Sequence, residues 1–407
     1  MRLWPSVAAA GTNPQTGSVS GGTVIVLMCC TFVFNTSEFI PIGLLSDIAA
    51  DFGITEARAG LLITVYAWVV ALVSLPLMLA VARMECRRLM LGVLGLFIAS
   101  HVLSGLSSSY AMLMASRIGV ACAHAVFWSI VSPRAGRAQA VRVAPKGAQS
   151  AALGLIITGT SIAMIVGLPL GRVIGLYVGW RTTFFFIAAV AAAVWLFLAA
   201  IFPRVPSRDT ISLRKVPSLL GNPALVGVYV LTVLMVTGHY TGYSYIEPFL
   251  AQVAGLDNDW ITWVLTAFGL VGIVGSLWFS RDYEKRPYAF MRFAVVGIAF
   301  FLLLLRLSAF GHFPVVALCI CWGLAITIFN LVFQSEIIRL APEATAIAMS
   351  VYSGIYNVGI GAGALVGGFV CTHASIARIG YAGGTIALLA ALFCLVRLVP
   401  LLKRSRG

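Results

Sequence analysis

Long apolar runs broken by short polar interruptions occupy the chain from residue 23 almost to its end. Twelve such segments can be placed, at 23–46, 59–82, 88–107, 110–132, 149–171, 181–202, 223–247, 260–280, 288–305, 313–338, 345–370 and 379–399. Each is close to the roughly 20 residues that a helix needs to cross the hydrocarbon core. The pattern predicts an all-α membrane protein with twelve transmembrane helices and short connections. An even number of crossings puts both termini on one side.

The basic residues choose that side. Segments on the side of the termini hold twenty-one Lys and Arg, against five on the other, Arg58, Arg172, Arg181, Arg306 and Arg378, with Arg117 inside a span. The positive-inside rule then places both termini in the cytoplasm. Residues 1–22 are rich in Gly, Ser, Thr and Pro with Arg2 as the sole charge, which reads as a cytoplasmic tail and not a signal peptide. Residues 400–407 read as a second tail.

Composition narrows the class. Apolar residues make up 60% and charged residues 10%, where soluble domains have roughly 45–50% and about 25%. With a mean hydropathy of +1.01, this excludes a cytosolic enzyme, a disordered chain and a secreted disulfide scaffold. The net charge of +14 is topogenic and does not point to nucleic acid. Eight cysteines without a C-x-x-C pair predict neither a zinc site nor a disulfide framework. No H-E-x-x-H cluster or other metal-ligand or nucleophile-base set appears, so the chain does not read as an enzyme.

The two halves repeat. Arg83 to Arg88 matches Arg281 to Arg286 as R-x-x-x-[RK]-R at an offset of 198, and Arg142 to Pro145 matches Arg339 to Pro342 at 197. Two six-helix bundles are expected, at 23–202 and 223–399, joined by the cytoplasmic loop 203–222 and related by pseudo-symmetry. Such parallel halves suit a transporter that rocks around a midplane site.

An ionisable group within a span costs about 2.5 to 3.5 kcal/mol at its centre and marks function by default. Glu38 lies fifteen residues beyond Thr23, about 22 Å along a helix, in the outer half of the first segment. It is the expected proton carrier; the alternative is a permanent pair with a neighbouring amide or arginine. Arg117 and His124 are seven residues apart, nearly two turns, and share a face of the fourth segment. They offer a fixed cation for Glu38 and a titrating imidazole, against the blander readings of a snorkelling arginine and a core histidine. His101 shows no partner and reads as structural.

A midplane cavity for a polyhydroxylated or amphipathic ligand needs amides and flat apolar faces. By depth the candidates are Asn35, Tyr66, Trp68, Phe127, Trp128, His239, Tyr240, Tyr243, Asn330, Gln334, Tyr356 and Asn357. Tyrosines and tryptophans also serve as interface anchors, so the buried amides carry more weight. Glu247, before Pro248 at the outer end of the seventh segment, reads as a gate or helix-end residue. Glycines number 40, about a tenth of the chain against an average near 7%. They cluster at 154, 159, 167 and 171 and at 354, 359, 361, 363, 367 and 368, spacings that let helices approach closely.

Asn35-Thr36-Ser37-Glu38-Phe39-Ile40-Pro41, Gly167-Leu168-Pro169-Leu170-Gly171 and Gly179 to Phe184 resemble the major facilitator superfamily in its drug/proton antiporter branch. Tyr66 to Ala71, Arg117 to Trp128, His239 to Pro248 and Asn357 to Gly368 narrow the resemblance to bacterial sugar efflux transporters of the SotB kind. It implies a monomer in the bacterial cytoplasmic (inner) membrane that exports sugars, sugar analogues or small drugs against protons. The proton gradient is then the energy source and no cofactor is needed. There are departures: Leu79 and Arg83 stand where the superfamily has glycine and aspartate, and Val120 and Ala121 replace glutamine and glycine. Glu85 is left as the carboxylate for the usual contact between the second and eleventh segments. A proton-coupled importer of the same fold, and a transporter-like sensor, are the alternatives; the antiporter-like stretch 167–171 speaks against the importer.

Overall fold

A backbone surrounded by hydrocarbon must satisfy its hydrogen bonds within the segment, which makes long apolar runs helical. The structure is a computed structural model and describes residues 21–81, 84–131, 159–160, 162–202 and 219–405. In order, the helices are α1 (Gly21–Gly43), a short α2 (Leu45–Asp51), α3 (Glu56–Val81), α4 (Cys86–Gly105), α5 (Tyr110–Val131), α6 (Leu168–Val178), α7 (Trp180–Ile201), α8 (Pro223–Tyr243) and a short α9 (Ile246–Gln252). They continue as α10 (Asn258–Asp282), α11 (Pro287–Ser308), α12 (His312–Leu340), α13 (Thr345–His373), α14 (Ile379–Phe393) and α15 (Val399–Arg404). Eleven of the described helical stretches are long and apolar enough to span a membrane. The twelfth span is α6, preceded by a π-helical turn at Ala163–Gly167; the start of the predicted segment 149–171 lies outside the described residues. So do the N-terminal tail, Arg83, Gly154, the basic stretch 133–146 and most of the central loop.

Local chemistry sets several boundaries. Asn222 caps α8 by accepting from the amides of Ala224 and Leu225, with Pro223 as first helical residue. Asp257 caps α10 through the amide of Trp260 at 2.8 Å. Gly179, at φ 97°, makes the tight turn between α6 and α7 that a side chain would strain. Glu85 caps α4 at the amide of Arg87 and lies 3.8 Å from Arg88, so its carboxylate is engaged on its own loop.

Three expected boundaries move. The fifth span ends at Val178 and not at 171, because Arg172 is not a loop cation but a helical residue only 1% exposed. The seventh span breaks at Ser244 and Tyr245, and Glu247 sits in α9 beyond the break. The last helix also runs on to Arg404, through residues expected in the C-terminal tail.

Within the first half α3 and α4 pack on α5, and α7 packs on α4 and α1; in the second, α8 packs on α13 and α14, and α12 on α10 and α11. The halves meet where α3 lies against α13 and where α6 lies against α10. These are second span on fifth and fifth on second, so exchanging the halves maps one contact onto the other. The fold is therefore two six-span bundles related by a pseudo-twofold. Their first spans, α1 and α8, are the most enclosed.

Glycine makes the closest seams. A Cβ on Gly167, Gly171 or Gly175 would collide with Thr36, Ile40 or Leu44 of the first half. One on Gly359, Gly363 or Gly367 would collide with Val236, Tyr240 or Thr241 of the second. The fifth span of each half thus lies on the first through the same device.

Candidate functional site

Three helices of the first half converge on a buried polar cluster. α1 supplies Ser37 and Glu38, α3 supplies Tyr66, and α5 supplies Arg117 and His124, whose separation by seven residues brings both to one face. The Tyr66 hydroxyl lies 2.7 Å from His124 Nδ1, and His124 Nε2 lies 3.7 Å from a Glu38 carboxylate oxygen. The Arg117 guanidinium stacks on the Tyr66 ring at 4.5 Å and donates from Nη1 to the Ser37 carbonyl at 3.2 Å and hydroxyl at 3.4 Å. Among the described ion pairs Glu38 has His124 as its partner; Arg117 acts on it only through space. The expected fixed cation is present, therefore, but is tied elsewhere.

Ser37 in turn lies 2.8 Å from Nε2 of His101, whose Nδ1 is 2.9 Å from the Phe97 carbonyl. His101 thus has partners, which its own segment could not reveal. Phe127 is fully buried and stacked on Phe34 at 4.0 Å. It packs the bundle, while Trp128 is half-buried with its ring 6.1 Å from His124.

Opposite lies an aromatic group from the second half. His239 stacks on Tyr243 at 5.2 Å and meets Trp322 at 5.2 Å, and Tyr243 stacks on Phe268 at 4.9 Å. Tyr356 shares polar contacts with Asn330 and Tyr240. Glu38 is within electrostatic reach of both Tyr240 and Tyr356 of the second half. Among the described residues the buried atoms His239 Nδ1, Asn330 Oδ1 and Asn357 Oδ1 lack a hydrogen-bond partner. Gln334 is half-buried one helical turn from Asn330 on α12.

Three candidates also hold partners of their own. Asn35 donates to the Thr31 carbonyl at 2.9 Å and reaches Thr160 at 3.5 Å, which binds it to its own helix and the fifth span. Trp68 lies in the α3–α13 seam, its indole donating to the Val358 carbonyl at 3.4 Å. Asn357 donates to Ser353 of its own helix at 3.0 Å.

Glu247 belongs to a second polar cluster, at the face of the molecule opposite the chain ends. Arg172 Nη1 is 3.2 Å from Glu247 and 2.6 Å from the Gly43 carbonyl, and its Nη2 is 3.0 Å from Asn258 Oδ1. The other Glu247 oxygen accepts from the Ser46 amide at 3.2 Å and hydroxyl at 2.8 Å. Both charged side chains are almost fully buried, and each comes from a different half. Near by, Gln252 donates to Glu56 at 2.8 Å, and Tyr245 fits against Gly60 and Gly368 with its hydroxyl on the Ala364 carbonyl. Arg172, Ser46 and Asn258 were not candidates by sequence. A cation at the end of an apolar run looks solvated until the carboxylate facing it is known.

Residues 27–353 match the sequence profile of the Major Facilitator Superfamily. Among solved structures the fold is shared with a peptide transporter variant in complex with alafosfalin, at TM-score 0.74 and 13% identity, covering 94% of this chain and 95% of that one. A bacterial homolog of the human lysosomal transporter Spinster, in an inward-facing and unoccupied conformation, matches at TM-score 0.70 and 14% identity over 97% and 98%. A peptide transporter family member in complex with a thioalcohol-conjugated peptide matches at 0.73 and 14% over 94% and 96%. At these identities the likeness is one of fold.

Proposed function

The chain belongs to the Major Facilitator Superfamily, and on that premise we propose that it is a proton-coupled antiporter exporting sugars, sugar analogues or small drugs from the cytoplasm of a bacterium by alternating access. The observation that carries the coupling is the pairing of Glu38 with a neutral-capable imidazole in place of a guanidinium. A carboxylate locked to arginine keeps its charge throughout a cycle; one paired with histidine can accept and release a proton as its surroundings change. Because Glu38 is within electrostatic reach of Tyr240 and Tyr356, a ligand held between the halves changes those surroundings. Asn330, Asn357 and His239 supply unfilled hydrogen-bonding atoms and Tyr240, Tyr243 and Tyr356 flat faces, which suits a polyhydroxylated or amphipathic ligand.

The gating role falls to Glu247 with Arg172. The bonds of Glu247 with Ser46 and Arg172, of Arg172 with Asn258, of Gln252 with Glu56 and of Trp68 with the Val358 carbonyl join the halves between mid-depth and the face opposite the termini. That is the arrangement of a carrier closed on that side, and the basic bias makes it the outer side. Export requires the lock to break once the ligand is bound. The glycine seam at 167–171 keeps the first half impermeable to protons while it does so.

The test is a proteoliposome assay in which substrate flux in one direction is measured together with proton flux in the other. Coupled, opposed fluxes are expected. Fluxes in the same direction would make the protein an importer, and substrate movement without protons would remove the coupling.

A further inference from the structure

The hydrogen bonds around His101 have a fixed polarity. His101 is fully buried between Phe97, whose ring is 4.1 Å away, and Phe184 at 6.1 Å. Its Nδ1 faces the Phe97 carbonyl at 2.9 Å. A carbonyl only accepts, so Nδ1 carries the proton, and Nε2 of the neutral ring is an acceptor. The Ser37 hydroxyl, 2.8 Å from Nε2, must therefore donate to it. Its oxygen is then turned to accept from Arg117 Nη1 at 3.4 Å, beside the Ser37 carbonyl that takes the same nitrogen at 3.2 Å. One backbone carbonyl on α4 thus orients a chain of three buried side chains that ends on a charge. Were the hydroxyl reversed, its proton would face the guanidinium and repel it.

We propose that His101 and Ser37 are positioning residues for proton coupling: they anchor Arg117 on the Ser37 side of Tyr66 and hold it off Glu38, leaving the carboxylate to His124. The groups facing Arg117 are Glu38 and Ser37 from α1, Tyr66 from α3, His101 from α4 and His124 on its own helix; Tyr240 and Tyr356 approach Glu38 from the second half. Of these, Glu38 alone is an anion. With the Ser37 hydroxyl lost or turned away, Arg117 keeps only the Ser37 carbonyl and Glu38 is the one anion it faces; an Arg117–Glu38 pair would hold the carboxylate charged and move proton exchange to more acid pH.

The inference rests on the antiport reading above, and the experiment separates the two. Substrate-driven proton movement is followed against pH in proteoliposomes for wild type, His101→Phe, Ser37→Ala, the double variant and His101→Gln. His101→Phe keeps the ring but removes the acceptor. Ser37→Ala removes the hydroxyl with little change of volume and stands in if His101→Phe does not fold. Both should move the pH of half-maximal exchange to more acid values by about one unit, with KM for substrate changed less than twofold. The double variant should shift no further than either single one, since all three act through one chain. His101→Gln, whose side-chain carbonyl can accept the same bond, should keep the wild-type profile. Profiles of His101→Phe and Ser37→Ala that superimpose on wild type would overturn the inference and leave the antiport reading intact. So would a His101→Gln profile displaced as far as that of His101→Phe. A wild type that moves no protons would refute the antiport reading and this inference with it.

Discussion

Glu38 is paired at 3.7 Å with a titratable partner and Arg117 is bonded to a serine, and the difference decides what substitutions should do. Glu38→Gln keeps shape and hydrogen bonding but cannot titrate, so uphill export under an imposed pH gradient should fall to background while substrate binding stays measurable by equilibrium titration. Tyr66→Phe leaves the buried His124 Nδ1, now bonded at 2.7 Å, without a partner. It should destabilise the protein by about 1–3 kcal/mol, seen as a lower unfolding midpoint in detergent. Glu38, Arg117 and His124 were legible because an ionisable side chain in an apolar run is conspicuous whatever its contacts. Ser37 and His101 were not, since their role depends on α4 touching α1. Arg172 was misplaced for a related reason: whether a cation near a segment end meets water or a carboxylate is decided 75 residues away in sequence, at Glu247.

At the scale of elements, the seams between first and fifth spans set what each helix tolerates. Gly171→Leu would drive a branched side chain into Ile40 and Thr183, and Gly363→Leu one into Tyr240 and the α8 backbone. Overpacking of this kind costs about 1–3 kcal/mol or more, and both variants should unfold earlier on heating. Gly92→Ala is the control. Nothing lies within 4 Å of its added Cβ, and removing a helical glycine should leave stability unchanged or raise it by about 0.5–1 kcal/mol. The seams were readable from glycine spacing alone, because close helix approach has few other solutions. The break in the seventh span was less readable: Pro248 has no amide for the Ser244 carbonyl to accept from, but the turn is held by Tyr245 lodging between α3 and α13, a contact made far along the chain.

For the whole molecule, the contacts that join the halves decide which mouth is open. Removing one member of a buried ion pair strands the other and costs about 3–5 kcal/mol. Arg172→Ala should therefore shift the population toward a state open at the face opposite the termini. A cysteine placed at Ile246, 1% exposed in α9 beside the lock, in a background without the native cysteines, should then react with an impermeant thiol reagent from that face at least tenfold faster than with Arg172 in place. Equal rates would show that the pair does not close the mouth. The two-bundle plan was legible from the repeat and the charge bias, yet neither could show that the halves meet at α3–α13 and α6–α10. The neutrality of the lock has an electrical consequence. An elementary charge moved across the membrane exchanges about 2.3 kcal/mol with the field for each 100 mV. Arg172 and Glu247, 3.2 Å apart, cancel as seen by that field, whereas an ionised Glu38 beside a neutral imidazole does not. Membrane voltage should then bias the loading and unloading of Glu38 while leaving the parting of Arg172 from Glu247 untouched, so the carrier senses voltage at its carboxylate and not at its gate.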